Sequence, residues 1–137
     1  METYQDCIVF LLAKAYQTAH GNLKKRLLSY GLTPIQFLTL AALAEEDGIS
    51  AGEIGKRLVL DNATLSGVLD RLADRGWIEK QTDLNDKRLL RVYLTDKTKD
   101  LQEELREERE RANAEILHSL SLEEKVLLKR LLRDVQA

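Results

Sequence analysis

Residues 61–76 read DNATLSGVLDRLADRG, and their pattern is the strongest indication of the fold. Apolar side chains recur among them at steps of three and four, the spacing of one buried helix face: Leu65, Val68, Leu69 and Leu72. Asp61 stands directly before this run as an N-cap, and Gly76 stands directly after it as a terminator. The stretch therefore predicts a helix from Asp61 to about Arg75 with one apolar face.

The opposite face of this helix is small and polar in its leading half. Its residues there are Asn62, Ala63, Thr64, Ser66 and Gly67. Such a face suits a DNA major groove, which is about 12 Å wide, and the helix N-terminus can offer N–H groups to phosphates. An ordinary surface helix would give the same pattern, so this helix alone does not decide. Asp70 and Asp74 also face outward, and they would repel phosphate unless Arg71 or Arg57 pairs with them.

Capping motifs predict where three other helices begin. A hydroxyl residue followed three positions later by Gln or Glu occurs at Thr33, Ser50 and Ser121, and each opens an apolar-periodic run. The helix from Ser50 is short, and a tight turn separates it from the helix that begins at Asp61. The two together predict a helix–turn–helix. Apolar spacing also predicts a long first helix over residues 4–28.

Beyond Gly76 the apolar period changes from about 3.6 to about 2, which indicates two short strands and a β-hairpin. Its polar turn carries Asp86, Lys87 and Arg88. An arginine on a projecting loop can enter the narrow minor groove, and the neighbouring aspartate can orient its guanidinium. A solvated turn with ordinary charges is the alternative interpretation.

Composition limits the class of protein. The 137 residues fit a single domain, with 44% hydrophobic residues, 32% charged residues and a formal net charge of −2. No apolar run approaches the roughly 18 residues of a membrane span, and the acidic N-terminus does not resemble a signal peptide. One cysteine excludes an intramolecular disulfide,. We therefore expect a cytoplasmic protein.

The local charge around the helix–turn–helix is close to balanced. Between residues 50 and 95 there are eight basic and seven acidic residues, which leaves a difference of +1. Because duplex DNA attracts proteins chiefly through its phosphates, this balance permits DNA binding without demanding it.

Several segments together resemble the MarR family of bacterial and archaeal transcription regulators. They are LDNATLSGVLDRL at 60–72, RGWIEK at 75–80, Asp83-x-x-Asp86-x-Arg88, Leu94-Thr95 and Gly31-Leu32-Thr33-x-x-Gln36-Phe37. The resemblance implies a mainly α (α+β) fold in one MarR-type domain spanning 1–137. Within it, 33–95 would form the winged helix-turn-helix, and 1–30 with 96–137 would form a helical dimerisation region.

The resemblance also implies a function. It indicates a non-enzymatic homodimer that binds a near-palindromic operator in double-stranded DNA and acts as a transcriptional repressor. The slim face of the helix would meet the major groove, Arg71 and Arg75 would lie at the DNA backbone, and the wing turn would reach the minor groove. We expect DNA contacts from Asn62, Ala63, Thr64, Ser66, Gly67, Arg71, Arg75, Asp86, Lys87 and Arg88. No cofactor or metal is expected, but a small aromatic (phenolic) or anionic effector, or oxidation, would release the DNA.

Two positions depart from the family pattern. Gly67 stands where a basic residue is frequent, and Leu84 stands where proline often follows the first wing aspartate. These departures affect the expected DNA sequence preference and leave the fold unaffected. The near-neutral local charge keeps open an alternative, a winged-helix protein-interaction module without DNA binding.

The remaining reactive side chains do not form a recognisable site. Cys7 is interpreted as a buried structural thiol in preference to an oxidation sensor. His20 and His118 are isolated in the sequence, so a structural metal site has little support.

Overall fold

The computed structural model of the protein describes residues 1–136. Helices flank a small antiparallel sheet that follows the fourth helix. The elements are α1 (Ile8–Leu27), α2 (Pro34–Glu45), α3 (Ala51–Leu58), α4 (Asn62–Asp74), β1 (Ile78–Thr82), β2 (Leu90–Leu94), α5 (Asp96–Ile116) and α6 (Leu122–Asp134), with short 3₁₀ turns at Tyr4–Asp6 and Leu28–Tyr30. This arrangement confirms the predicted mainly helical fold with a winged helix-turn-helix.

Two of the three predicted capping boxes are complete. The Thr33 hydroxyl accepts from the Gln36 N–H at 3.3 Å, while the Gln36 side chain accepts from the Thr33 N–H at 3.0 Å. Ser121 and Glu124 form the same reciprocal pair. At Ser50 only the hydroxyl half is present, and the Glu53 carboxylate accepts a hydrogen bond from Arg57.

The N-terminal segment differs from the sequence prediction. The expected helix from about Tyr4 is interrupted, since Cys7 has extended backbone angles and α1 begins only at Ile8. Cys7 precedes the helix and therefore does not belong to its apolar face. The prediction that Cys7 is buried is wrong, because its side chain is exposed in this chain.

One hydrophobic core joins the winged part to the flanking helices. Its fully buried members include Leu43 of α2, Ile54 of α3, Leu72 of α4 and Val92 of β2. Leu27, at the end of α1, belongs to the same cluster, as does Leu105 of α5. Burying a side chain of this size stabilises by roughly 1.5–3 kcal/mol, so this core holds the outer face of α4 in a fixed position.

The predicted hairpin is confirmed, with Ile78 paired to Leu94 and Thr82 paired to Leu90. A third segment was not predicted. The Gly48 N–H donates to the Val92 carbonyl at 2.9 Å, and the Val92 N–H donates to the Ile49 carbonyl at 3.1 Å. These bonds attach the loop before α3 to β2, so the wing and the helix–turn–helix move together.

The turn between α3 and α4 contains an unusual backbone conformation. Val59 has φ 55° and ψ 53°, in the left-handed region, and no other residue except glycine has positive φ within residues 1–136. Its N–H lies at 3.4 Å from the Lys56 carbonyl. A β-branched residue rarely adopts this conformation, so the tight turn between the two helices is strained at Val59.

No single helix within residues 1–136 has the length and apolar character needed to cross a membrane, although the bent pair Ile8–Tyr30 and Pro34–Glu45 meets both requirements jointly.

Candidate nucleic-acid interface

The predicted slim face of α4 is accessible to solvent. The side chains of Asn62, Ala63, Thr64 and Ser66 are exposed, and Gly67 is half-buried. The apolar face opposite is buried as predicted, and its members are Leu65, Val68, Leu69 and Leu72. The leading half of α4 therefore presents a narrow surface without a large side chain.

The N-terminus of α4 is occupied by its own cap. One Asp61 carboxylate oxygen accepts from the Thr64 N–H at 2.8 Å, and the other accepts from the Thr64 hydroxyl at 3.0 Å. The Thr64 N–H and hydroxyl bonds hold the pKa of Asp61 below its usual value, so this carboxylate is ionised at neutral pH. The predicted cap is confirmed, and it takes up the Thr64 N–H and places a negative charge at the helix end that was expected to face phosphate.

The outward acids of α4 have different environments. Asp70 forms an ion pair with Lys80 of β1, and neither of the two expected partners takes part. Arg57 is held instead by Glu46 at 3.1 Å and Glu53 at 3.2 Å. Asp74 is exposed and has no ion pair within residues 1–136. The repulsion expected from Asp70 is thus reduced by a residue that sequence spacing could not identify.

Arg71 lies along the slim face. Its Nη1 atom is 3.2 Å from the position that a Cβ on Gly67 would occupy. Arg71 is exposed, and the part of the chain that the structure describes contains no ion pair or side-chain hydrogen bond to it. Its guanidinium therefore fills the space left by the missing side chain at position 67.

Arg75 has an intramolecular role. Its Nη1 donates to the Gly31 carbonyl, and the guanidinium lies 3.1 Å from the position of a Cβ on Gly31. Gly31 has φ 68°, a conformation that favours glycine. Arg75 thus connects the end of α4 to the loop before α2.

Asp83 organises the wing turn. One of its carboxylate oxygens accepts from the N–H groups of Asn85 at 3.0 Å and Asp86 at 2.8 Å. The other accepts from Arg91 Nε at 2.8 Å, and Arg91 also donates to the Gly48 carbonyl at 3.1 Å. The Arg91 hydrogen bond, followed by the backbone bonds, holds the pKa of Asp83 below its usual value. The turn is therefore a defined structure, and its aspartate and arginine were absent from the predicted site.

Arg88 projects from this turn as predicted. Its Nε and Nη2 donate to the two Asp86 carboxylate oxygens at 3.0 and 3.1 Å, while its side chain is 90% exposed. The Arg88 side-chain bonds lower the pKa of Asp86. Lys87 is exposed beside them, and Leu84 is 97% exposed at the same tip. The pair holds the Arg88 guanidinium in a defined orientation at the solvated end of the wing.

A cavity of about 290 Å³ lies between α2 and α5. Buried apolar side chains, including Phe37, Leu40 and Leu105, form part of its wall. Its polar lining comprises Glu45, Thr98, Gln102, Glu103, Arg106 and Arg109. Arg106 is held by Glu103 and Glu110, whereas Arg109 is half-buried and has no ion pair within residues 1–136. The cavity can accept a small molecule with an apolar body and a polar or anionic group.

Large apolar side chains are exposed along the first and last helices. On α1 and α6 they are Ile8, Val9, Leu11, Leu12, Tyr16, Leu122, Val126, Leu127, Leu131 and Leu132. Exposed apolar faces of this kind usually mark a protein interface. Among residues 1–136 there is no group of three or more His, Cys, Asp or Glu side chains placed to hold a metal.

Comparison with known sequences identifies regulators of transcription. The family model described as the MarR family matches residues 30–89. The HTH-type transcriptional regulator PecS of Dickeya dadantii is 33% identical over 117 residues, covering 83% of this chain and 70% of PecS. TtmR of Methylorubrum extorquens, another HTH-type transcriptional regulator, is 40% identical and covers 68% of this chain. The HTH-type transcriptional repressor NicR of Pseudomonas putida is 36% identical and covers 63%. The matched segments span about half the length of TtmR and NicR, at 46% and 54%.

Solved structures share the fold over nearly the whole chain. A probable transcriptional regulator from Pseudomonas aeruginosa has a TM-score of 0.91 at 31% identity, covering 97% of this chain and 99% of its own. A mutant MarR from E. coli, solved with operator DNA, has a TM-score of 0.88 at 26% identity and full coverage of both chains. Bordetella bronchiseptica BpsR, whose DNA binding is regulated by 6-hydroxynicotinic acid, has a TM-score of 0.91 at 28% identity, covering 99% of this chain and 97% of its own.

Proposed function

Because the chain belongs to the MarR family of transcription regulators, we propose that it binds duplex DNA as a homodimer and represses transcription from a near-palindromic operator. The observation that carries this proposal is the pairing of a slim, exposed α4 face with a projecting wing cation on one rigid unit. In this proposal the contacts come from Asn62, Ala63, Thr64, Ser66, Gly67, Arg71, Lys87 and Arg88, with Asp86 orienting Arg88.

The proposed role of Arg75 is indirect. Its guanidinium is bound to the Gly31 carbonyl, so we assign it to positioning α4 near the DNA backbone. Arg75 therefore has a different proposed role from Arg71, although the two arginines lie only one helical turn apart.

The apolar faces of α1 and α6 support the homodimer. A monomer would leave both faces in water, which costs roughly 25 cal/mol for each Å² of apolar surface. We propose that residues 1–30 and 96–137 form the dimer contact and that residues 33–95 bind DNA. Light scattering after gel filtration tests this arrangement directly, and a species with the mass of one chain would contradict it.

The DNA-binding test is an electrophoretic mobility shift with the promoter region beside the protein's own gene. We expect a shifted band that survives an excess of nonspecific duplex, because base contacts add to the phosphate contacts. Absence of any shift at low salt would contradict the proposal. If a partner protein were then recovered by pull-down, the alternative interaction module would be favoured.

We also propose that the α2–α5 cavity binds a small aromatic or anionic effector. The cavity lies between the winged part and a helix of the proposed dimer region. A bound ligand would therefore change the position of the winged part relative to that helix. Arg109 is the side chain best suited to an anionic group, because Arg106 is already neutralised by two glutamates.

A thermal-shift screen of aromatic carboxylates, 6-hydroxynicotinate included, tests the cavity. A ligand at one hundred times its Kd should stabilise the protein by about 2.7 kcal/mol, and Arg109→Ala should reduce that shift. Arg130→Ala is the matched control, since Arg130 lies on α6 and is paired with Asp134. A shift that both variants retain in full would place the ligand elsewhere.

A further inference from the structure

We propose that Arg71 reads a base in the major groove and that Gly67 makes this possible. The inference rests on the proposed DNA-binding function and goes beyond it, because it gives sequence discrimination to one side chain. The observation behind it is the position of the Arg71 guanidinium over Gly67.

Helix geometry explains why the two residues act together. Side chains on an α-helix lean toward its N-terminus, so a long side chain covers the residue one turn earlier. Arg71 lies one turn after Gly67, and its Nη1 and Cζ atoms are 3.2 and 4.0 Å from the position of a Cβ there. A side chain at position 67 would crowd the guanidinium from its Cβ onward. The missing side chain therefore brings the cation onto the slim face beside Ser66 and Ala63.

Arg71 also differs from the other arginines of the winged part in being free. Between residues 50 and 95, all of which the structure describes, the remaining arginines have acceptors within the chain: Arg57 with Glu46 and Glu53, Arg75 with Gly31, Arg88 with Asp86, and Arg91 with Asp83. The acids nearest to Arg71 along α4 do not hold it. Asp70 pairs with Lys80, and Asp74 lies one turn toward the C-terminus, against the direction in which the side chain leans.

A free guanidinium on a groove-facing surface has a specific chemical complement. Its planar pair of donors matches the O6 and N7 acceptors of guanine, which point into the major groove. A lysine ammonium can replace an arginine at a phosphate but lacks this two-donor geometry. Lysine can also donate to guanine, but from a single nitrogen, so replacing arginine with lysine should weaken guanine recognition more than phosphate contact.

The experiment uses the full-length protein and a randomised duplex library. The library should be long enough for two half-sites about one helical turn apart, roughly 10 bp. The enriched duplex is then made with each guanine of both half-sites replaced in turn, and affinities are measured by fluorescence anisotropy at one salt concentration. For the parent, replacing one symmetry-related guanine pair should weaken binding about tenfold per half-site.

Arg71→Lys should lose discrimination at that one guanine and keep it at the other positions. Gly67→Ala supplies the matched test, because its added methyl would lie 3.2 Å from Nη1, tighter than most such contacts, so the guanidinium must shift by a few tenths of an ångström. Alanine also favours the helix over glycine, so Gly67→Ala should raise the Tm while reducing discrimination at the same guanine. In an Arg71→Ala background, Gly67→Ala should cause no further loss of discrimination at that guanine.

Four results would overturn the inference. If Arg71→Lys bound every duplex more weakly by the same factor, Arg71 would be a phosphate contact. If Arg71→Lys bound every duplex as tightly as the parent, Arg71 would make no contact with a base. A further loss of discrimination at that guanine from Gly67→Ala in the Arg71→Ala background would show that the glycine acts on it independently of the arginine. Failure of the parent to enrich any duplex would overturn the proposed function and this inference together, which distinguishes it from the first three results.

Discussion

The left-handed residue between α3 and α4 gives a stability prediction that depends on one backbone angle. Val59 has φ 55°, and an L-residue in this conformation costs roughly 1–2 kcal/mol because its Cβ crowds the backbone. The Val59 side chain is 89% exposed, so its removal sacrifices almost no burial. Replacement by glycine should therefore relieve strain without opening a cavity.

The expected gain is smaller than the strain itself. Glycine increases the conformational entropy of the unfolded chain, which offsets roughly 0.4–1 kcal/mol of the strain energy that is relieved. The difference leaves Val59→Gly more stable than the parent by about 0.5–1 kcal/mol, or about 2–4 °C in Tm for a chain of this length. Val59→Ala removes the branched side chain but keeps a Cβ, so its gain should be smaller.

Thermal and urea denaturation at one fixed protein concentration measure this difference, since oligomers gain stability with concentration. Glu104→Gly is the matched control, because Glu104 is an exposed residue inside α5. The backbone at Glu104 is helical and has no positive φ, so glycine relieves no strain there. Glu104→Gly should therefore destabilise the protein by about 1 kcal/mol. A Val59→Gly variant that is less stable than the parent, with the control behaving as expected, would refute the argument from strain.

Three further perturbations concern the proposed DNA surface. Arg88→Ala should weaken operator binding and flatten the dependence of log K on log salt by about one unit per wing, measured by anisotropy across a salt series; an unchanged slope would remove Arg88 from the contact. Lys80→Ala should weaken binding because it frees the Asp70 charge, and Asp70→Asn in the same protein should restore it; a double variant as weak as the single one would mean that Lys80 itself contacts DNA. Asp61→Asn keeps a capping side chain but cannot titrate. The pKa of Asp61 is lowered in the folded state by its Thr64 bonds, so the cap's contribution is complete above the unfolded pKa of about 4 and is lost as pH falls through the folded value. Thermal denaturation should therefore show the parent losing more stability than Asp61→Asn below that pH, and parallel acid profiles would contradict the cap.

Much of the fold follows from short-range patterns. The caps at Thr33, Asp61 and Ser121 need only the residue and its neighbours three positions on. The change of apolar period after Gly76 was sufficient to predict the hairpin. These features depend on local backbone geometry, which sequence spacing describes well.

Features that depend on distant segments could not be predicted in the same way. The Asp70–Lys80 pair joins a helix to a strand, and the bridge between Ser50 and Arg91 joins residues forty-one positions apart. The exposure of Cys7 depends on an extended residue that interrupts an otherwise helical pattern. In each case the deciding factor is a tertiary contact or a single backbone angle.

The candidate site also has a part that local patterns predicted and a part that depends on tertiary contacts. The slim face of α4 and the Asp86–Arg88 pair were predicted residue by residue, and the structure leaves them exposed except for the half-buried Gly67 and Asp86. The separate roles of Arg71 and Arg75 were not predicted, because both are arginines on one helix. Only the structure shows that one guanidinium is bound to Gly31 and that the other lies free over Gly67.

In the proposed complex, the α4 helices of two chains lie along base edges of one duplex. Hydroxyl-radical footprinting on the selected duplex, combined with the mass of the complex from light scattering, measures this arrangement. We predict two protected half-sites about one helical turn apart and two protein chains per duplex. A single protected site occupied by one chain, or uniform protection without preferred sequence, would contradict the account.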